Sequence, residues 1–474
     1  MDDTLSSSKI ISNLQASVEA FMSEIREIST TSISFDHADK VEAFEKTIHE
    51  KTAQLADSIT AIKLQEALAS QALDQAEKEL IKSFPKKYKN MGYRAVKIHL
   101  LGGNAMTVSV PYYHQKSNLK KMRGRKGFYP KLLLLGIHDR YTSAVASRIS
   151  LFATAACSLE ESKRLMETLY GFTADVKTIG MIFKRFALRA RACFESEKMP
   201  LTEEFKGKRV VVSADGGRVR IRQNKRGNKT KKGRSRYKTD WREPKLILVY
   251  VVNEEGEKDR KIPPILDASL NGPDATFDML LYYLKKLGVS LADKVLFISD
   301  GAKWIWDRVA KLISGLGIKA AQCVFVLDFY HAVEHLSSIA SSKKWTAQVI
   351  KKWVSKQRKR LLNGKRELFM TEIEAICQGS KNKILQRERE YFKTHLSHMH
   401  YKEIKDGKLP IGSGAVESGI RRVINLRLKS PGIFWHEEVA DAMLLLRSYY
   451  KAGRWNLLKN MAFIGGLDVN ECYL

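Results

Sequence analysis

The sequence predicts an α/β protein whose layered sheet is interrupted by a helical insertion and preceded by helical and basic regions. Three observations carry this. Five short β-rich runs alternate with helical stretches between residues 206 and 335, helical periodicity fills 8–80 and 332–408, and charge is divided unevenly along the chain. At 474 residues the chain exceeds one ordinary core, so two to four domains are expected. Its composition, 44% hydrophobic and 28% charged, is that of a globular protein.

Residues 1–80 carry 7 Lys/Arg against 15 Asp/Glu, so the net +30 of the whole leaves about +38 on 81–474. A field of that sign suits a polyanion, with nucleic acid first. An anionic membrane surface is excluded because the basic stretches lack a strongly apolar opposite face. The longest apolar runs, such as "LILVYVV" (246–252), are far short of a membrane span, and the acidic start is unlike a signal peptide. Five scattered cysteines, 157, 193, 323, 377 and 472, include no Cys-x-x-Cys pair. A reducing cytosol is therefore expected rather than a disulfide framework.

Within 1–80, Val41, Phe44, Ile48, Leu55, Ile59 and Ile62 recur at helical spacing, as a coiled-coil seam for self-association or as one face of a helical hairpin. Pro85 closes this region. Residues 81–130 hold 12 Lys/Arg and no acid, which favours a phosphate-facing surface over a merely solvated one. "YRAVKIHLLGGNAMTVSVPYY" reads as a β-hairpin about Gly102-Gly103, followed by a basic loop over 115–127. In 131–205, Ser158 with Glu161 forms a capping box for one helix, and Thr173 or Asp175 caps a second after Tyr170-Gly171-Phe172. That spacing fits a helix-turn-helix with Lys177, Thr178, Lys184 and Arg185 on its second helix, and it fits an ordinary helical pair equally.

From 206 to 335 the runs "KRVVVSAD", "PKLILVYVV", "KIPPILDAS", "KVLFISD" and "QCVFVLD" predict strands, with a helix after the third and another after the fourth. Residues 336–408 are helical, including the basic "KKWVSKQRKRLLNGKR" (351–366), and 409–474 is helical again.

Three of the five runs end on aspartate, Asp215, Asp300 and Asp328, and glycine follows the first two. Asp-Gly is a turn dipeptide, so one such end would be ordinary. Several, in a chain built for polyanions, point to a metal site that receives phosphate, since Mg²⁺ takes a few carboxylates plus substrate oxygens. Other phosphate and metal chemistries fit less well. No Walker loop is present, "DGG" replaces the Asp-x-Asp of haloacid-dehalogenase-type phosphatases, and "HAVEH" (331–335) has Ala332 where a zinc protease needs glutamate. "HLSHMH" (395–400) is a weaker metal candidate.

At these residues the chain resembles a bacterial insertion-sequence transposase of the DDE superfamily, whose catalytic core is RNase H-like. The resemblance covers roughly 130–450. "VVVSADGGRVRI" is similar to the first-aspartate strand, "REPKLILVYVV" to the second strand and "VLFISDGAKWIW" to the second-aspartate strand. "VLDFYHAVEHL" is similar to the Asp/Cys-x-x-His signature of the branch that includes Mutator-like transposases, and "IGSGAVESGIRRVINLRLKSPGIFW" (411–435) to the glutamate segment.

The resemblance implies an RNase H-like core in two parts, 206–335 and 409–474, around the helical insertion 336–408. It implies Asp215, Asp300 and Glu417 as catalytic ligands of two Mg²⁺ (or Mn²⁺) ions, with Asp328 and His331 as an accessory pair. Glu417 at a helix start is also what the macrodipole alone would favour, with Arg421 one turn on as a partner. The partners expected are element-end and target DNA, with at least a homodimer to bring two ends together. DNA contacts are assigned to Lys177, Lys184 and Arg185; to Arg218, Arg220, Lys231, Lys232 and Arg234; to Arg358, Lys359 and Arg360; and to Arg427, Lys429 and Trp435. Trp304 and Trp306 are read as packing residues. The activity implied is hydrolysis at an element end followed by transfer of the 3′-hydroxyl into target DNA, in a nucleoid-associated cytoplasmic protein. A non-catalytic DNA-binding relative and a nuclease without strand joining are the alternatives.

Overall fold

The computed structural model describes residues 7–30, 37–84, 87–115, 127–225, 227–231, 233 and 235–463. It divides into two compact units, Met1–Pro200 with Leu458–Leu474, and Leu201–Leu457.

In the first unit, α1 (Ser7–Thr30) pairs with α2 (Ala38–Leu68), and Lys51 bridges Glu24 at 3.0 Å. The expected seam grows more buried along α2: Val41 is exposed, Phe44 to Ile59 are half-buried and Ile62 is buried. After α3 (Gln71–Ser83), strands β1 (Tyr88–His99) and β2 (Ala105–Gln115) form the predicted hairpin, with Val96 facing Val108. Buried Asp57 of α2 accepts the amides of Gly102 (2.9 Å) and Asn104 (3.0 Å), fastening helix to hairpin tip. The two-residue β3 (Gly127–Phe128) pairs with β2, and α4 (Pro130–Leu134) follows. Pro85 and positions 116–126 of the expected basic loop lie outside the described residues.

Helices α5 (Ser143–Ala155), α6 (Leu159–Tyr170) and α7 (Val176–Glu195) complete this unit's layout before the chain crosses to the second. The caps fall where the sequence puts them. Ser158 accepts the Glu161 amide at 3.0 Å, left-handed Gly171 ends α6, and Asp175 accepts the Thr178 amide at 2.7 Å.

The second unit carries the main sheet. Its strands are β4 (Arg209–Gly216), β5 (Val219–Asn224), β6 (Tyr237–Arg242), β7 (Lys245–Val252) and β8 (Ile265–Ser269). Then come α8 (Gly272–Lys286), β9 (Lys294–Ser299), α9 (Lys303–Leu316) and β10 (Cys323–Leu327). Five strands pair in the order β10-β9-β4-β7-β8; β7 is antiparallel to both of its neighbours, β8 and β4, while β4, β9 and β10 are parallel. All eight residues of β7 are buried, because helices cover both faces of the sheet. On one face Phe277, Leu280, Ile305, Val309 and Leu312 of α8 and α9 meet Val212 and Phe297. Each such fully buried side chain contributes about 1.5–3 kcal/mol. Strands β5 and β6 form a separate two-stranded ribbon between β4 and β7, which the sequence reading did not anticipate.

The stretch expected to be helical is so: α10 (Phe329–Ser342), which begins before the expected boundary at 336, then α11 (Ala347–Leu362), α12 (Arg366–Cys377), α13 (Lys383–His395) and α14 (Tyr401–Asp406). The chain returns through α15 (Gly414–Ile420), a π-helical turn Arg421–Asn425, α16 (Leu426–Leu428), α17 (Glu437–Lys451) and α18 (Trp455–Phe463). Among the described residues, no helix is long and apolar enough to cross a membrane.

Candidate catalytic site at the strand ends

Parallel pairing of β4 and β9 runs from Arg209–Lys294 to Ser213–Ile298. Continued for two more residues, that register brings Asp215 of β4 level with Asp300, the residue just past the end of β9, with neighbouring strands about 4.8 Å apart. The third acid arrives on α15. Gly419 presses on β7 and β8 so closely that a Cβ there would lie 3.2 Å from Leu246 and 3.4 Å from Leu266. Leu246 is the residue opposite Asp215. Glu417 lies on the flank of that buried helix face and is exposed.

Asp215 senses both other acids. Burial pushes the Asp215 carboxyl up to about 6, with the negative charges of Asp300 and Glu417 adding to the rise. The Gly216 amide, 2.6 Å from Asp215 Oδ1, and the His331 ring act in the opposite direction. A divalent cation would relieve that mutual repulsion. Among the described residues, however, no group of three His, Cys, Asp or Glu side chains is gathered tightly enough to hold a metal ion by itself. The donor set still fits Mg²⁺, which binds through one or two carboxylates and completes its shell with water and substrate phosphate.

Each acid has a distinct support. Asp300 Oδ1 accepts the Ala302 amide (3.0 Å) and the Ser299 hydroxyl (3.1 Å). Its carbonyl accepts the Tyr391 hydroxyl of α13 at 2.9 Å. Tyr391 stacks on His335 of α10 with centroids 3.7 Å apart, and His335 pairs with wholly buried Glu388. The next residue, Gly301, has φ +90°, and a Cβ there would meet the Tyr391 ring at 2.8 Å. Only glycine fits that turn.

Asp328 is wholly buried and acts as a tie. One carboxylate oxygen caps α10 through the amides of Tyr330 (2.6 Å) and His331 (2.9 Å). The other accepts both the amide and the hydroxyl of Ser413, the residue before α15. Ser413 Oγ lies 3.3 Å from Glu417 Oε1, so Asp328 positions the glutamate helix without facing the cleft. His331 is half-buried and stands 3.8 Å from Glu334. Beyond Glu417, buried Arg447 donates to the Val423 carbonyl at 2.9 Å and to that of Arg422, satisfying groups that the π turn displaces.

The residues assigned to DNA are divided by their surroundings. Arg218, Arg220, Lys231, Arg358, Lys359, Lys429 and Lys177 are exposed, and Lys184 is half-buried. Lys232 and Arg234 lie outside the described residues. Arg185 is bound to Asp139, and Arg360 to Glu372, so both guanidiniums are engaged within the protein. Arg427 and Trp435 are buried and stacked, the guanidinium 5.0 Å from the ring, as packing rather than surface groups. Trp304 sits edge-on to Phe277, and Trp306 stacks on His398 at 4.3 Å, so both pack as expected. His335 and His398 are occupied by Glu388 and Trp306 respectively rather than by a shared ligand set.

Sequence reasoning missed Tyr391, Ser413 and the ribbon. Ser413 stands in the quoted "GSGAVESG", which gave a signal for a helix start, whereas nothing near Tyr391 marked it. No protein-family model matches this sequence, and no curated protein matches it.

Proposed function

We propose that this protein is a DDE-type DNA transposase built on an RNase H-like core. The observation that carries the reading is the register that sets Asp215 beside Asp300, with Glu417 close enough to raise the Asp215 carboxyl's proton affinity. Further support comes from the strand order: an antiparallel trio, β8-β7-β4, continued by two strands parallel to β4, with Asp215 near the end of central β4, Asp300 just past neighbouring β9 and Glu417 on a covering helix.

In this reading Asp215, Asp300 and Glu417 would hold two Mg²⁺ or Mn²⁺ ions, which when bound would supply Lewis acidity for an in-line phosphoryl displacement. The protein's own contribution is placement. Tyr391 and Gly301 fix the Asp300 turn, Asp328 and Ser413 fix the start of the Glu417 helix, and the exposed cations orient the phosphate backbone. Water opens the P–O3′ bond at an element end and leaves a 3′-hydroxyl. That hydroxyl then attacks a target phosphodiester and displaces the target's 3′-oxygen. At least a homodimer is required to join two ends.

The test is nicking and strand joining on element-end DNA with Mg²⁺. Asp300→Asn is expected to abolish both and leave end binding within about threefold of the parent. Cleavage without joining would assign a nuclease. Absence of product from well-folded parent protein would favour the non-catalytic DNA binder.

A further inference from the structure

We propose that the outer face of the β5–β6 ribbon is a platform for unpaired DNA bases beside the strand-end acids, an inference that rests on DNA being the protein's polyanion. The ribbon begins four residues after Asp215, and Arg220 lies five residues from that acid, within about 17 Å at 3.3 Å per residue. Its two faces differ. Val219 and Ile221 are buried on the inner face. On the outer face stand Arg220 opposite Trp241 and Asn224 opposite Tyr237, with Arg222 between them.

Aromatic rings and guanidiniums interleave there. Arg220 lies 4.8 Å from the Trp241 ring centre and 5.8 Å from that of Phe434, and Arg222 lies 4.8 Å from that of Tyr237. Phe434 reaches this face because Trp435 pairs along β5: its amide donates to the Arg220 carbonyl at 3.0 Å, and its carbonyl accepts the Arg222 amide at 2.7 Å. Trp241 is 47% and Tyr237 41% exposed. Residues 216–239 contain 11 Lys/Arg and no acid, so an anion is the matching occupant.

Cations alone would suffice to hold a duplex by its phosphates. Exposed rings beside them add nothing to that contact, because duplex bases are stacked on each other. Rings interleaved with cations are what a single strand needs, since each unpaired base offers a π face and each phosphate a charge. The ribbon's place just past Asp215 would put such a strand where a DNA end frays.

The experiment compares full-length protein binding, without divalent metal, to a labelled blunt duplex and to the same duplex carrying a short single-stranded tail. The parent is expected to prefer the tailed DNA by about tenfold. The double variant Tyr237→Ala/Trp241→Ala should lose that preference and bind blunt duplex as the parent does, which also verifies its fold. Tyr237→Phe/Trp241→Phe should keep most of it, because stacking needs only a ring. Equal parental affinity for both DNAs, equal loss on both, or tighter binding to an RNA tail of the same sequence would each overturn the proposal. Because no metal is present, failure here is separate from failure of the nicking assay.

Discussion

The hydroxyl of Tyr391 donates to the main-chain carbonyl of Asp300 at 2.9 Å, so a helix of the insertion grips the backbone of a strand-end acid in the sheet. Tyr391→Phe keeps the ring against Gly301 and His335 and removes only this hydrogen bond. A single neutral hydrogen bond contributes about 0.5–1.5 kcal/mol, so cleavage is expected to slow about two- to tenfold with unchanged DNA affinity. Single-turnover rates alongside binding titrations check this; a parallel loss of affinity would mean that the residue serves the fold generally.

Gly301→Ala tests the same contact from the other side. The added Cβ meets the Tyr391 ring at 2.8 Å, and φ is +90°. A loss of about 2–4 kcal/mol in urea unfolding is expected from strain and clash together. Unchanged stability would show that the turn is not held as described.

Asp328 offers a contrast, since its carboxylate is consumed by four hydrogen bonds to Tyr330, His331 and Ser413. Asp328→Ala leaves those buried donors without a partner and should destabilise by about 3–5 kcal/mol. Asp300→Asn should leave stability nearly unchanged. Equilibrium unfolding distinguishes the tie from the half-buried acid.

Asp215 should make the metal-free protein less stable as pH rises. Its carboxyl titrates near 6 in the fold against 3.8 normally, so the folded state binds the proton more tightly. Stability is then greatest below about pH 4 with respect to this group, and is lost as pH rises through 6. Asp215→Asn should raise stability at pH 7.5 by about 1–3 kcal/mol, allowing for the carboxyl's partial exposure, and flatten the profile between pH 4 and 7. Thermal unfolding across that range, with chelator present, is the check.

Much of the sheet was legible because its strands are short apolar runs bounded by Asp, Gly and Pro; all five predicted runs are the five strands of the main sheet. The ribbon was not, because Arg220, Arg222 and Lys238 alternate with few apolar residues and read as a charged loop. The two aspartates were legible as strand ends, and Glu417 through the family-like segment around it. Tyr391 was out of reach, since its role depends on a ring from 91 residues away meeting a glycine turn. Burial also decided what charge could not: Arg427 and Trp435 lie inside, and Arg360 is held by Glu372.

The central claim is that Asp215, Asp300 and Glu417 share divalent ions. Calorimetric titration with Mn²⁺ at pH 7.5, in the presence of uncleavable end DNA, tests it most directly. Asp215→Asn, Asp300→Asn and Glu417→Gln should each weaken binding at least tenfold while the fold and DNA affinity persist. Parental Mn²⁺ affinity in any one of the three would contradict the shared site.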